Sequence, residues 1–555
     1  MASTSKGCHL VHTMNVLRRI MWSPVFIIFS IAISFWLGLG WVPLFDLDEG
    51  AFTEATREMM ASGNYAATFL DGEPRYDKPI FFYWLQAASI QLLGFNEWAF
   101  RLPSVIMASI WAWVVFRFVQ EFSHTQRAKI AALFLINGIW VALIARSAIA
   151  DATLNVFLTL LMFDMWRYFY SIQHTNTATH VKNLTPKSKV EFFKYNVLTL
   201  RIYLWMALAT LTKGPVAIAV PLIVSLAYLL SSRAPLASYR AYINPFGWIT
   251  YIAVVSPWLY AVYLSQGSDF FEGFILEHNI KRFTDTRENH GGSLFYYFIV
   301  LPIILIPYSG LLGSVFKRSA THLQQPLTRY LLIWFTVIFV LFSLSKTQLP
   351  HYILNGCVPL IILMAIRVNL HNKNRWALWV PIAFMVLLTT IPWLLPVARE
   401  SADDFSVVML SRYHETIPPY YVLTSFACLA CIIAAALLPQ LRTWQRLTIS
   451  GMVLNFFIFT MLVRVISGLQ QAPVQHAIQF LKNRDGHETV VAFQMHMPSF
   501  SVYRQKITPL RAPEVGEIVL TRIDRIHKLQ QPHTQYQQLF ESGGLVLLKR
   551  QPDTH

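Results

Sequence analysis

Apolar runs of about 20 residues recur along most of this 555-residue chain, and they limit what it can fold into. A helical run of that length matches the hydrocarbon core of a bilayer. Charged residues make up 13 % of the sequence, which is about half the share found in soluble domains. Backbone groups in lipid must be paired inside helices or closed barrels, and no alternating pattern favours a barrel. The sequence therefore predicts a polytopic α-helical membrane protein.

About thirteen spans can be drawn, and the basic residues between them predict which loops share a side of the membrane. The spans are 22–42, 102–120, 128–148, 151–170, 201–212, 214–232, 244–264, 294–316, 329–345, 349–367, 376–396, 420–439 and 446–467. Lys and Arg concentrate in alternate loops, on the side that holds Arg18 and Arg19, and the positive-inside rule places that side in the cytoplasm. The amino terminus is expected there, with an uncleaved first span. Most of the Lys and Arg behind the net charge of +16 are thus assigned to cytoplasmic loops, and no nucleic-acid partner is expected.

Two further apolar segments are predicted to lie along the outer membrane surface. Residues 80–93 are apolar, but about 14 residues are too few to cross a bilayer. Residues 51–61 have an amphipathic helical pattern. One face of that helix is expected to meet lipid, with Phe52, Ala55, Met59 and Met60. The opposite face is expected to meet water, with Glu54, Arg57 and Glu58.

Acids and bases cluster in the loop 43–101, which follows the first span. Four acids fall within nine residues: Asp46, Asp48, Glu49 and Glu54. The loop then reaches Arg75, Asp77 and Lys78 before a proline. Ionisable residues at the mouth of a membrane span indicate a functional site.

The same alternation of inward and outward loops places other ionisable residues on the outward side. They are Arg146, Asp151, Lys213, Glu277, His278, Arg282, His290, Lys346 and His351. Cations there suit phosphate, and acids suit the hydroxyl or amine groups of a sugar. The residues alone fit an enzyme that handles a lipid-linked phosphosugar, and they equally fit a transporter with an anion site.

The character of the chain changes after about residue 470. A short helix at 473–483 and strands at 489–493, 518–521 and 545–549 are predicted there. The chain is accordingly divided into a transmembrane catalytic domain, 1–469, and a small α/β domain, 470–555, on the outer side. The smaller domain is expected to cap the membrane part.

Several motifs give the sequence a resemblance to a known superfamily. They are Phe45-Asp46-Leu47-Asp48-Glu49-Gly50, Arg57-Glu58-Met59, Asp71-Gly72, Tyr76-Asp77-Lys78-Pro79, Arg101-Leu102-Pro103-Ser104, Arg146 with Asp151, Thr212-Lys213-Gly214-Pro215, Glu277-His278 with Arg282-Phe283, and Ser345-Lys346 with Leu349-Pro350. In this order they resemble the GT-C glycosyltransferases that use polyprenyl-phosphate sugars. Within that group the chain resembles the lipid A aminoarabinose transferases, and more distantly the protein O-mannosyltransferases. The resemblance implies a GT-C fold with thirteen spans, interfacial helices and a periplasmic carboxy-terminal domain.

The resemblance also implies roles for individual residues. Asp48 is the first catalytic candidate, as a base for a hydroxyl acceptor or as an orienting group for a phosphate acceptor. Asp151 and Glu49 are further catalytic candidates, with a structural ion pair to Arg146 as the alternative for Asp151 and a supporting role as the alternative for Glu49. Lys78 is expected to bind the donor phosphate. The other expected substrate ligands are Arg57, Arg75, Lys213, His278, Arg282 and Lys346.

No metal or other cofactor is expected to be required, and the weak candidates for a divalent ion are Asp77, Glu277 and His278. The favoured function is transfer of 4-amino-4-deoxy-L-arabinose from undecaprenyl phosphate to lipid A phosphates. It would occur at the periplasmic face of a bacterial inner membrane and confer resistance to polymyxin-like peptides. One alternative is transfer of another sugar to lipopolysaccharide, glycolipid or protein. The other is a carrier or flippase for polyprenyl lipids that performs no catalysis.

Overall fold

Helices make up most of the structure, a computed structural model that describes residues 19–177, 189–281, 293–317, 323–371, 375–484, 488–529 and 534–552. The main helices of the membrane part are Pro24–Trp36, Glu97–Phe122, Thr125–Ile136, Ile139–Arg146, Asp151–Thr177, Lys189–Lys213, Val216–Ser231, Pro245–Gln266, Tyr296–Ile304, Leu312–Phe316, Pro326–Ser343, Leu354–Arg367, Trp379–Glu400, Tyr421–Leu437 and Thr443–Gln470. Short helical segments lie between them: Leu236–Ile243, Asp269–Phe271, Glu272–Ile280, Ser309–Leu311, Pro350–Ile353, Trp376–Leu378, Asp404–Ser411 and Tyr413–Thr416.

The expectation of a multi-pass helical membrane protein is confirmed. Among the described residues, six helices are long and apolar enough to cross a bilayer, or up to eight if each of two bent pairs counts as one span. Three shorter apolar helices are also present: Pro24–Trp36, Val216–Ser231 and Tyr421–Leu437. The number of thirteen crossings stays a prediction.

Two predicted spans are not straight helices. The span drawn at 128–148 bends by 63° between Ile136 and Ile139, where Gly138 weakens the helix. The span drawn at 294–316 bends by 108°, and Pro307 lies in the turn. The short span drawn at 201–212 belongs to a longer helix, Lys189–Lys213.

Loop 43–101 folds into two helices and a hairpin. The first helix is Asp48–Ser62, which we call the acidic helix, and it ends at Gly63 with φ +68°. The hairpin pairs β1 (Phe69–Leu70) with β2 (Glu73–Pro74) across an Asp-Gly turn whose two residues have positive φ. The second helix, Phe81–Leu93, we call the surface helix.

The expected orientation of the acidic helix is wrong. Phe52, Ala55 and Met59 are buried in the protein core, and the ring of Phe52 stacks on Tyr83 of the surface helix at 5.2 Å. Glu54, expected in water, is fully buried. The amphipathic pattern identified two faces correctly, but the surface helix and the membrane helices cover both of them.

The carboxy-terminal part contains a four-stranded sheet. Its strands are β3 (Val490–Ala492), β4 (Ile518–Arg522), β5 (Tyr536–Ser542) and β6 (Leu545–Arg550), in the order β3-β4-β6-β5. Strands β3 and β4 are parallel, and the other pairs are antiparallel. Two helices accompany the sheet, Ala472–Lys482 and Pro498–Arg504, with a 3-10 turn at Ile523–Lys528. The three predicted strands are present, and β5 is an additional strand that the sequence did not indicate.

Candidate active site

A cavity of about 520 Å³ lies between loop 43–101, the membrane helices and the carboxy-terminal part. It gathers ionisable residues that are far apart in the sequence. Those that the sequence singled out are Asp48, Arg75, Asp77, Lys78, Asp151, Lys213 and His278. We call this space the charged cavity.

A smaller cavity of about 110 Å³ continues from the charged cavity toward the membrane helices. The two share residues at their junction: Asp77, Lys78, Asp151, Lys213, His278, His351 and Tyr352. Beyond the junction the lining becomes mainly apolar, with Leu154, Leu158, Val216, Val220, Ile338 and Phe342. We call this space the apolar pocket. A charged space that opens into an apolar one fits an amphipathic ligand whose charged group stays at the junction.

Asp48 is exposed toward the charged cavity at the first turn of the acidic helix. The preceding residue, Leu47, has φ +69° and ψ −69°, a strained turn conformation for a residue with a side chain. A carboxylate in the first helical turn is favoured by the helix dipole. Asp48 therefore combines a favourable backbone position with access to ligand.

Glu49 points the other way and is buried. Its two oxygens each accept a hydrogen bond from Arg101 at 2.8 Å, and they also accept from the amides of Phe45 at 3.0 Å and Ala148 at 2.8 Å. Burial alone raises the pKa of Glu49, but the guanidinium of Arg101 and these hydrogen bonds outweigh it and leave the pKa below its usual value. This geometry favours the supporting role over the catalytic one.

Arg75, Asp77 and Lys78 form one ionic group at the junction. Arg75 donates to Asp77 at 2.6 and 3.1 Å and to the carbonyl of Ala51 at 2.5 Å. Lys78 Nζ lies 3.2 Å from the same carboxylate. Burial raises the pKa of Asp77, but the two cations outweigh it and hold the pKa well below its ordinary value. Since Arg75 is committed to protein acceptors, Lys78 is the better candidate for a ligand phosphate.

A second ionic group faces it across the junction. Lys213 Nζ lies 2.6 Å from Asp151 Oδ1, and His351 Nε2 lies 3.8 Å from the same oxygen. Asp151 is buried, and His351 borders the charged cavity and the apolar pocket. The sequence had placed His351 only among the residues of the outward loops. Its position beside Pro350 and Lys346 was the available signal, and the pairing with Asp151 was not visible.

The alternative role for Asp151, an ion pair with Arg146, is not formed. Arg146 donates to the carbonyl of Leu37, and its guanidinium carbon lies 4.0 Å from the ring centre of Phe459. Arg146 ends one helix, Ile139–Arg146, and Asp151 begins the next, Asp151–Thr177, so the two residues do not share the face of one helix.

Arg57 lies outside the charged cavity. It donates to both oxygens of Glu54, at 2.8 and 2.5 Å. The carboxylates of Glu54, Glu58 and Asp71 bring ligand atoms within 4.8 Å of one another, so this group could hold a metal ion. Burial raises the pKa of Glu54 to about 8, although Arg57 acts in the opposite direction.

The remaining predicted residues differ in their placement. His278 lines both the charged cavity and the apolar pocket, whereas Glu277 pairs with Lys281. Lys346 is exposed and lines neither space. Arg282 and His290 lie outside the described residues. Of the weak metal candidates, Asp77 already uses both oxygens on Arg75 and Lys78.

Comparison with known proteins shows similarity at two levels. Residues 77–177 match the family model described as dolichyl-phosphate-mannose-protein mannosyltransferase. Undecaprenyl phosphate-alpha-4-amino-4-deoxy-L-arabinose arabinosyl transferases are similar in sequence. That of Shewanella sediminis is 27 % identical over 342 residues, covering 61 % of this chain and 58 % of the relative. That of Photorhabdus laumondii is 29 % identical over 335 residues, covering 60 % of this chain and 57 % of the relative. The matched region thus spans less than two thirds of these relatives' length.

The similarity to solved structures is more extensive. The crystal structure of ArnT from Cupriavidus metallidurans bound to undecaprenyl phosphate matches with a TM-score of 0.77 at 19 % identity, covering 95 % of this chain and 98 % of that one. Its apo structure matches with a TM-score of 0.74. The predicted resemblance is confirmed, and the chain has the fold of ArnT.

Proposed function

We propose that the protein is a membrane glycosyltransferase that transfers 4-amino-4-deoxy-L-arabinose from undecaprenyl phosphate to phosphate groups of lipid A. The observation that carries the proposal is the charged cavity, with Asp48 on one wall and Lys78 at its junction with the apolar pocket. The names of the relatives specify the sugar and its polyprenyl carrier. The fold is that of a protein solved with undecaprenyl phosphate.

The donor would bind with its phosphate at the junction and its polyprenyl chain along the apolar pocket. Lys78 and Lys213 supply positive charge there, and His351 adds a ring nitrogen beside Asp151. As the glycosidic bond breaks, negative charge grows on the leaving phosphate. Cations that already border this position would stabilise that charge in the transition state.

The reaction would exchange one phosphate oxygen for another at the anomeric carbon. The bond between C1 and the donor oxygen breaks, and its electron pair leaves with undecaprenyl phosphate. A lipid A phosphate oxygen supplies the electron pair of the new bond. The second pKa of a phosphomonoester is about 6, so this oxygen is largely ionised at neutral pH. Asp48 would therefore orient the acceptor or bind the 4-amino group of the sugar.

The donor phosphate would need no divalent ion. Lys78 and Lys213 line its proposed position and provide the charge that an ion would otherwise supply. Activity is accordingly expected to survive an excess of EDTA. Loss of activity that added Mg²⁺ or Mn²⁺ restores would contradict this part of the proposal.

The membrane arrangement follows from the same reasoning. We propose thirteen crossings in a bacterial inner membrane, with the amino terminus in the cytoplasm. The charged cavity and the domain 470–555 would then face the periplasm. Within the described residues, six to eight candidate spans and three shorter apolar helices support this arrangement, and so do the basic alternate loops of the sequence. Labelling of single cysteines in loops 43–101 and 233–244 from either side of the membrane tests it.

Mass spectrometry of lipid A tests the proposed substrates. The chain would be expressed in a host that makes the aminoarabinose donor but lacks its own transferase. An added mass of one aminopentose per modified phosphate is expected, together with reduced binding of polymyxin, and Asp48→Asn should abolish both. A different added mass, or unmodified lipid A in the presence of donor and folded protein, would overturn the proposal.

A further inference from the structure

The acidic helix is attached to the carboxy-terminal part of the chain through Asp46. Ser499 donates to Asp46 through its backbone amide at 2.8 Å and through its hydroxyl at 2.6 Å. Gln471 donates to the same carboxylate at 3.0 Å. Both oxygens of Asp46 are therefore engaged by residues more than 400 positions away in the sequence. We call this contact the Asp46 clamp.

The strained residue Leu47 lies between the Asp46 clamp and Asp48. Its φ of +69° and ψ of −69° are unfavourable for leucine, and the residue is 55 % exposed. Packing of the leucine side chain therefore does not account for this conformation. The backbone conformation of Leu47 is set by the two neighbouring residues, because Asp46 is held by the clamp and Asp48 begins the acidic helix. The amide of Gly50 also donates to the carbonyl of Phe45 at 3.0 Å and closes this turn.

Gly50 shows how closely the carboxy-terminal part approaches. A Cβ atom at this position would lie 2.7 Å from the backbone nitrogen of Ser499 and 3.2 Å from Asp46 Oδ1. The first atom belongs to the backbone and cannot rotate away. A glycine is needed here so that Ser499 can reach Asp46.

Two more residues of the same short helix, Pro498–Arg504, hold loop 43–101 at three further points. Ser501 Oγ donates to Asp71 at 2.6 Å, at the tip of the hairpin. Tyr503 Oη accepts from the amide of Leu44 at 2.7 Å and donates to Glu97 at 3.0 Å. The start, the middle and the end of the loop are thus tied to one element of the carboxy-terminal part.

We propose that Asp46 and Ser499 are positioning residues that hold Asp48 in the charged cavity, so that the carboxy-terminal part belongs to the catalytic machinery. The expected role of that part as a cap is thereby extended. The inference rests on the proposed function for its kinetic test, since Asp48 must take part in a reaction for its position to affect a rate.

The kinetic test uses the purified full-length chain, undecaprenyl-phosphate aminoarabinose and lipid A. The first variant, Ser499→Ala, removes the hydrogen bond from the Ser499 hydroxyl to Asp46. The second, Asp46→Asn, replaces one acceptor oxygen by an amide group and so weakens the hydrogen bonds that Asp46 accepts from Ser499 and Gln471. For Ser499→Ala we expect kcat to fall about 10-fold, with KM for the donor within about two-fold, because the donor phosphate site is intact. The kcat of Asp46→Asn should be lower still. Ser499→Thr keeps the hydroxyl and should therefore retain a higher kcat than Ser499→Ala.

A matched control breaks a different attachment of the carboxy-terminal part, one that lies away from loop 43–101. Arg522 lies 3.1 Å from Asp403 and stacks over Phe405 at 3.9 Å, in a contact that involves neither Leu47 nor Asp48. Arg522→Gln should leave kcat within about two-fold of the wild type. An equal loss of kcat in Arg522→Gln and Ser499→Ala would show a general requirement for docking and would overturn the positioning role.

Hydrogen exchange provides a readout that does not depend on the reaction. Amide exchange in a peptide covering residues 43–52 should become faster in Ser499→Ala and remain unchanged in Arg522→Gln. If exchange rises as expected but the wild type does not turn over the donor, the proposed function fails and the clamp stands. If the wild type turns over the donor while Ser499→Ala shows wild-type exchange and kcat, the inference fails and the proposed function stands.

Discussion

Asp48 and Glu49 are adjacent in the sequence but lie in opposite environments. Glu49 is buried and accepts four hydrogen bonds from Arg101, Phe45 and Ala148. Asp48 is exposed to a cavity whose walls carry Lys78 and Lys213. Successive residues of a helix point about 100° apart, so one acid faces the core and its neighbour faces the cavity. We refer to these regions as the closed network, Glu49 with Arg101, and the open network, the ionic groups of the charged cavity.

What an ionic residue does in this protein depends on whether its partners are fixed. In the closed network each charge is neutralised by a fixed partner, and a ligand would have to displace it. In the open network Lys78 and Lys213 each have a carboxylate partner but also border space large enough for a phosphate. The closed network is expected to contribute stability, and the open network is expected to contribute rate.

The largest expected effect is on stability and comes from breaking the closed network. Arg101→Met leaves the Glu49 carboxylate buried without its cation, and the loss of one partner of a buried ion pair costs about 3–5 kcal/mol. Thermal unfolding in detergent should show a Tm several degrees lower, with poor expression. A variant with wild-type Tm would mean that the closed network does not stabilise the fold.

A comparable effect, on rate, is expected from Lys78→Met in the open network. Removing a donor that stabilises developing charge costs about 10²–10³-fold in kcat. The Tm should change little, because the positive charge of Arg75 continues to balance Asp77. If Tm and activity fell together, Lys78 would have a structural role like that of the closed network.

His351→Asn should give a smaller loss of activity. Asn keeps a polar group near Asp151 but removes the imidazole that borders both cavities. We expect about a 10-fold lower kcat/KM for the donor, equivalent to about 1.4 kcal/mol. Phe342→Leu, deeper in the apolar pocket, should change kcat/KM for the donor by less than about three-fold, because the pocket stays apolar. A His351→Asn enzyme with wild-type kcat/KM would remove His351 from the site.

The smallest expected effect concerns the pH dependence of stability. Because the pKa of Glu54 is raised to about 8, the folded state binds a proton that the unfolded state releases above about 4.5. Stability should therefore fall as pH rises from about 5 to 8. Asp77, whose pKa is lowered, contributes a change only below about pH 4. Glu54→Gln should flatten the slope between pH 5 and 8, with Tm changes of about 1–2 °C. An unchanged slope would contradict the raised pKa.

The sequence predicted much of the open network and little of the closed one. The alternation of loops and the order of the motifs were sufficient to predict one side of the membrane for Asp48, Lys78, Asp151, Lys213 and His278. The structure brings these residues to one cavity. The partners were not predictable, because they depend on contacts between distant elements. Asp151 pairs with a lysine 62 positions away rather than with the nearer arginine.

The same limit explains the failures in loop 43–101 and at the carboxy terminus. The amphipathic pattern could not show that protein rather than lipid covers Phe52. Ser499 gave no signal either, because a serine indicates no chemistry until its partner is known. Its contact with Asp46 spans 453 positions, beyond the reach of any local pattern.

The most direct test of the comparison measures turnover and Tm together for Asp48→Asn and Glu49→Gln, purified in the same detergent. We expect Asp48→Asn to keep its Tm within about 1–2 °C and to lose at least about 100-fold in turnover of undecaprenyl-phosphate aminoarabinose. Glu49→Gln should lose several degrees of Tm, while the protein that remains folded turns over within about 10-fold of the wild-type rate. Wild-type turnover by Asp48→Asn, or an inactive Glu49→Gln with unchanged Tm, would contradict this expectation.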